Sequence, residues 1–164
     1  MILRPESPAD RAAIFSLTQL AFQGHPHSDG SEPRIIDALR DAKALTISIV
    51  AELEGRIVGH AAFSPVEWCE QSGWFGLGPV SVHPDLQGRG IGHALIESGL
   101  EQLRVIGAKG CVVLGDPDYY ARFGFRQDAR FTYSGPPPEY FQVLVWHEPR
   151  QGLGGAVRYH PAFG

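Results

Sequence analysis

The chain has 164 residues and a formal net charge of -4, with 43% hydrophobic and 20% charged residues, the balance of a compact domain and not of a disordered chain or coiled coil. Lys43 and Lys109 are its only lysines, and without a basic stripe nucleic acid is excluded as a partner. Cys69 and Cys111 have no ligand spacing, the opening MILRPESPADR lacks a signal segment, and no apolar run nears the roughly 18 residues of a membrane span, so one cytoplasmic domain over 1–164, away from membranes, is expected.

Met1 to Arg4 is a short apolar strand. Ser7, Pro8 and Asp10 then supply the cap, the first-turn proline and the third-position acid of a helix that buries Ile14, Leu17 and Ala21. QGHPHSDGS is a loop, and His25 and His27 within it lack the distant paired ligands of a zinc site, so no metal is expected. A second short helix runs from about Glu32 to Leu39 with Ile35, Ile36 and Leu39 inward.

From Leu45 to Val82 the pattern is β: two apolar runs meet at Glu54-Gly55, a tight hairpin signal, and a further strand follows near Trp74 to Val82. Pro79 within it removes a ladder donor. The longest helix covers Gly88 to Ile106, with Ile96, Leu100 and Leu103 on one side. CVVLG reads as a buried strand, and DPDYYARFGF as a compact helix capped by Asp116, opened by Pro117 and stopped by Gly124. Two more strands are expected near Phe125 to Phe131 and Tyr140 to His147, around the loop SGPPPE. Tyr133, Tyr140, Phe141 and Trp146 stand open between pocket lining and core.

The chemistry concentrates in GPVSVHPDLQGRGIGHAL. A helix N-terminus leaves N–H groups unpaired and carries partial positive charge, and Gly88, Gly90 and Gly92 let the backbone curl around an anion there, with Arg89 at the rim. The same glycines also suit a plain strand-to-helix connection. A Walker A loop needs Gly-Lys-Ser/Thr, which is absent. The dinucleotide fingerprint gains from Asp116 after the next strand but loses its third glycine to His93.

The stretch VSVHPDLQGRGIGHAL, with Gln87, Gly90 and Gly92, resembles the acetyl-CoA-binding motif Q/R-x-x-G-x-G/A of the GCN5-related N-acetyltransferase (GNAT) superfamily, and YYARFGF resembles its Y-x-x-x-G-F at Tyr120, Gly124 and Phe125. The likeness covers most of the chain and fades after about Phe131. It implies an α/β (α+β) fold: a mixed, mostly antiparallel sheet of about six to seven strands, flanked by about four helices and splayed between the fourth and fifth strands. It implies acetyl-CoA as co-substrate, with the backbone of Gln87, Gly88, Arg89, Gly90, Ile91 and Gly92 on the pyrophosphate. The main chain of Val80, Ser81 and Val82 is then left for the pantetheine arm and acetyl carbonyl.

Tyr120 is the implied general acid for the leaving thiolate, although its ring near Phe123 would also serve as core, and Tyr119 is its neighbouring competitor. The base is open. One branch of the family carries a Glu at the position of Gly76; Glu67, His83, Glu32 or a water chain remain, and an amine that binds neutral needs no strong base. The implied reaction is direct acetyl transfer to the primary amine of a small molecule or peptide N-terminus in a ternary complex. The acceptor site would be bordered by the first two helices, Pro136–Pro138 and the C-terminal GAVRYHPAF. A non-catalytic acyl-CoA-binding module, which would not need Tyr120, is the rival reading, and a homodimer is left open.

Overall fold

The computed structural model describes residues 1–164. Strand β1 (Ile2–Pro5) leads through a 3-10 turn at Pro8–Asp10 into α1 (Arg11–Phe22) and α2 (Glu32–Asp41). Strands β2 (Ile47–Leu53), β3 (Arg56–Glu67) and β4 (Trp74–Val82) form a meander, followed by α3 (Ile91–Val105), β5 (Gly110–Leu114) and α4 (Pro117–Tyr120). The C-terminal part adds β6 (Phe131–Thr132), β7 (Phe141–Val145), β8 (Gly155–Ala156) and β9 (Arg158–Tyr159). Seven strands form one sheet in the order β1-β2-β3-β4-β5-β7, with β9 added to the end of β3, while β6 and β8 pair separately. All pairings in the large sheet are antiparallel except β4 with β5, so the architecture implied by the family resemblance is present.

Local chemistry explains the N-terminal elements. The Asp10 carboxylate accepts the Ser7 N–H at 2.7 Å and binds Arg4 through two nitrogens at 2.7 and 3.1 Å, which ties the entry of α1 to β1. The Arg4 guanidinium holds the Asp10 carboxyl down at about 2. Glu54 and Gly55 turn the β2–β3 hairpin with φ of 51° and 76°, the two positive angles of a type I′ turn. Helix α3 buries Leu95, Ile96, Leu100 and Leu103 against Ile49, Ala61, Phe63 and Leu77 on one face of the sheet. Helices α1 and α2 lay Ile14 and Ile36 on Val50 on the other.

The expected strand over 125–131 is mostly a turn. Only Arg126 bridges to Val143, and only Phe131 and Thr132 become β6. Asp128 is the physical reason: its Oδ1 accepts the Arg130 N–H and Nε–H, both at 3.0 Å, and its carbonyl accepts the Phe131 N–H, closing an Asx-type turn. Phe131 then stacks on Trp68 at 4.0 Å, within a C-terminal core that also holds Trp74, Phe141 and Val143.

The feature that positions the site is the end of the β4–β5 ladder. Pairing runs from Trp74 opposite Gly110 to Leu77 opposite Val113 and stops. On the other side of β4 the register slips, Ala61 facing Val80 but Phe63 facing Leu77, an extra residue at Gly78-Pro79 that bends the strand. From Gly78 to Val82 the edge of β4 toward β5 is therefore open.

Candidate active site

Strand β4 passes into α3 through a loop built from local contacts. The His83 ring accepts the Asp85 N–H at Nδ1 and its carbonyl accepts the Leu86 N–H, closing a 3-10 turn over Pro84–Leu86. Gln87 reaches back to donate from Nε2 to the Val82 carbonyl at 3.2 Å. Gly88 and Gly90 adopt φ of 79° and 84°, angles at which a Cβ is strained. Gly90 is the N-cap of α3, and its carbonyl accepts the Ala94 N–H. The successive N–H groups from Gln87 to His93 have no acceptor within the chain. Unpaired donors at the positive end of a helix make an anion cradle.

That cradle opens into a cleft of about 380 Å³, walled by Val80, Val82, Leu86, Ile91 and Ile96 and closed by Tyr119, Tyr120 and Arg122. No carboxylate lines it. The apolar walls suit an elongated chain and the mouth suits a negative charge. Of the remaining residues expected there, Gln87, Gly88, Gly90 and Gly92 line the cleft. Ser81 alternates away from it, buried with its hydroxyl unpartnered, and Arg89 is exposed beyond the lining.

Tyr119 and Tyr120 come from α4, which starts where the Asp116 carboxylate accepts the Asp118 N–H at 3.0 Å and ends before Gly124 at φ 94°. Tyr119 sits at the rim: a Cβ on Gly92 would lie 3.5 Å from its hydroxyl, and the Arg122 guanidinium lies 4.5 Å over its ring. Tyr120 lies deeper, packed edge-on against Phe125 at 5.8 Å. Its place depends on Gly115, because a Cβ there would stand 2.4 Å from Tyr120 Cε2. Burial, with Tyr119, Cys111 and Asp116 nearby, pushes the phenol up to about 12. Tyr120 lines the cleft with its phenol still protonated near neutral pH.

The residues weighed as bases stand elsewhere. Glu67 is exposed and pairs with Arg158 at 2.8 Å; Glu32 accepts the Ser28 hydroxyl at 2.6 Å beside the α1–α2 loop; His83 caps its turn. Over Gly76 lies Tyr159, whose Cε2 would be 2.9 Å from a Cβ at that position. The Tyr159 hydroxyl is buried without a partner, and burial raises the phenol far above its ordinary range. Sequence reading passed over this residue, since only the pairing of Tyr159 with Val66 brings it there. Of the four aromatics left open, Phe141 is core and Tyr133 stacks on it at 5.3 Å, Tyr140 is exposed, and Trp146 lies under Arg104; none lines the cleft. No group of three or more His, Cys, Asp or Glu side chains gathers as a metal would require, and no helix is long and apolar enough to cross a membrane.

Residues 11–125 match the model of the acetyltransferase (GNAT) family. The uncharacterized N-acetyltransferase YhbS of Escherichia coli K12 is 33% identical over 99% of this chain and 98% of its own. Among solved structures, a GNAT family acetyltransferase from Brucella melitensis in complex with acetyl-CoA superposes with a TM-score of 0.87 at 49% identity, covering 99% of this chain and 97% of that one. YhbS from Escherichia coli in complex with CoA gives 0.86 at 32%, covering 99% and 91%.

Proposed function

The chain belongs to the GNAT acetyltransferase family, and from that premise we propose that, as one catalytic unit over residues 1–164, it transfers the acetyl group of acetyl-CoA directly to a primary amine in a ternary complex. The observation that carries this reading is the run of unpaired N–H groups from Gln87 to His93 beside a largely apolar cleft that Tyr120 helps to line. Binding of CoA and acetyl-CoA by the similar Escherichia coli and Brucella proteins supports it.

In this reading Gln87, Gly88, Arg89, Gly90, Ile91 and Gly92 hold the pyrophosphate by main-chain donors, which gives Arg89 a role without its side chain in the cleft. The open edge of Val80, Ser81 and Val82 hydrogen-bonds the pantetheine arm as a neighbouring strand would. The thioester carbonyl lies where the β4 main chain lacks a partner, and an N–H near Val80 stabilises the oxyanion as the neutral amine attacks. Tyr120 donates its proton to the departing sulfur. Holding both reactants in one cleft supplies much of the rate. The amine belongs to a small molecule or a peptide N-terminus, approaching from the α1–α2 side and the C-terminal segment.

The test is release of free CoA from acetyl-CoA across a panel of primary amines. Amine-dependent release supports the transferase. Binding of acetyl-CoA without release by any amine would support the acyl-CoA-binding module instead.

A further inference from the structure

Arg122 is the one arginine or lysine on the lining of the cleft, and the acetyl-transfer reading gives it no task. Arg4, Arg11, Arg40, Arg130 and Arg158 are each paired with a carboxylate, whereas Arg122 is not. His93, the other basic side chain on the lining, is hydrogen-bonded to Glu97 at 2.6 Å. The charge of Arg122 is therefore free for a ligand.

Its position is nonetheless fixed. The Nε–H donates to the Tyr119 carbonyl at 2.9 Å, and the guanidinium lies 4.5 Å over the Tyr119 ring, a cation–π contact. Both contacts leave the Nη groups unengaged, a planar fork that matches two oxygens of a phosphate.

Three side chains mark depth along the cleft. Tyr120 lies deeper, Tyr119 stands at the rim with its hydroxyl beside Gly92 of the cradle, and Arg122 is exposed above it. The turn Ala121–Phe123 that carries Arg122 faces the first turn of α3, with the Phe123 and His93 rings 4.8 Å apart. The guanidinium thus stands across the mouth from the main-chain donors. Acetyl-CoA carries its groups in the same order: thioester, pantetheine, diphosphate, then a ribose bearing a 3′-phosphate. With the thioester at Tyr120 and the diphosphate on the donors of Gln87 to Gly92, the next anion outward is that phosphomonoester, with a charge of about -1.5 to -2 at pH 7.

We infer that Arg122 binds the 3′-phosphate of CoA, with Tyr119 as the platform that aims it, so that the site separates CoA from 3′-dephospho-CoA. The inference rests on the acetyl-CoA reading above. Main-chain donors accept any diphosphate alike, and discrimination among diphosphates requires a side chain. Arg122 has this binding role and takes no part in the transfer itself.

Calorimetry with CoA and 3′-dephospho-CoA tests this on wild type, Arg122→Gln and Arg122→Lys. Because Arg122 is exposed, both variants should unfold at the wild-type midpoint without ligand. Wild type is expected to bind CoA about tenfold more tightly than 3′-dephospho-CoA, the scale of a hydrogen-bonded charge pair, with the ratio shrinking as salt rises. Arg122→Gln should lower CoA affinity to that of 3′-dephospho-CoA and leave the latter as in wild type. Arg122→Lys keeps the charge without the fork and should retain part of the ratio. The wild-type ratio is a readout that stands even if a variant fails to fold. Equal wild-type affinities, a ratio that survives in Arg122→Gln, or an equal loss for both ligands in that variant overturns the role of Arg122 and leaves CoA binding intact. A wild type that binds neither ligand overturns the acetyl-CoA reading and this inference together.

Discussion

The two polar regions flanking β4 are built in opposite ways. The loop from Gln87 to Gly92 presents main-chain donors at the surface, set by glycine angles over a few consecutive residues, and each unmet N–H is reached by solvent or ligand at little cost. The row of Glu6, Ser48, His60 and Ser81 presents side chains that run from the half-buried Glu6 and Ser48 into the core at His60 and Ser81, set by strand register across two ladders, and the unmet His60 Nδ1 and Ser81 hydroxyl there each cost about 1–3 kcal/mol. A chain can keep open donors at a surface without strain on its fold. Buried ones weigh against stability unless something binds to them.

The sharpest way to break this contrast is pH. Burial pushes His60 from the ordinary 6.5 down to about 4, with Glu6 opposing and Arg40 adding to the fall. Between those values the unfolded chain binds the extra proton and the folded chain does not, so stability should fall as pH drops from about 6.5 toward 4, by up to about 3 kcal/mol. Urea titrations across that window should show the loss in wild type and a clearly smaller one in His60→Gln. Equal losses would mean that His60 is not held neutral by the core.

Next in size is Tyr120→Phe. Loss of the proton donor should cut CoA release about a hundredfold, or about 2.7 kcal/mol of barrier, while the acetyl-CoA thermal shift stays as in wild type. Gly115→Ala should mimic it by displacing the ring that a Cβ would meet at 2.4 Å, which steady-state kinetics would read as lost kcat.

The loop should respond differently from the core. Gly90→Ala places a Cβ where no atom lies within 4 Å, at φ 84°, so it should cost roughly 1–2 kcal/mol through backbone strain alone, measured by thermal unfolding, and should weaken acetyl-CoA binding by shifting the cradle. The smallest effect belongs to Arg89→Ala. With its exposed side chain outside the cleft, calorimetry should find acetyl-CoA affinity changed by no more than about fivefold, the range of an exposed charge contact.

The same contrast explains what the sequence made legible. Gly88, Gly90 and Gly92 followed by an amphipathic run specify the cradle locally, and Asp116, Pro117 and Gly124 punctuate α4 so that Tyr120 could be placed by spacing. The hairpin at Glu54-Gly55 and the span of β4 from Trp74 to Val82 were readable for the same reason. His60 carries no local signal, because its neighbours Ser48 and Glu6 come from β2 and the entry to α1. Tyr159 reaches Gly76 only through a two-residue pairing of β9 with β3. The turn at Asp128 was hidden by apolar Phe125, Ala129 and Phe131 around it, an alternation that reads as a strand until the Asp128–Arg130 hydrogen bonds are seen.

The measurement that tests the central claim most directly is thermal unfolding with acetyl-CoA, CoA and NAD in parallel. Acetyl-CoA and CoA at about 100 times their Kd should each add about 2.7 kcal/mol and raise the midpoint by several degrees, with NAD leaving it unchanged. A midpoint indifferent to both CoA species at millimolar concentration, or one raised by NAD instead, would contradict the assignment of the cradle and with it the role given to Tyr120.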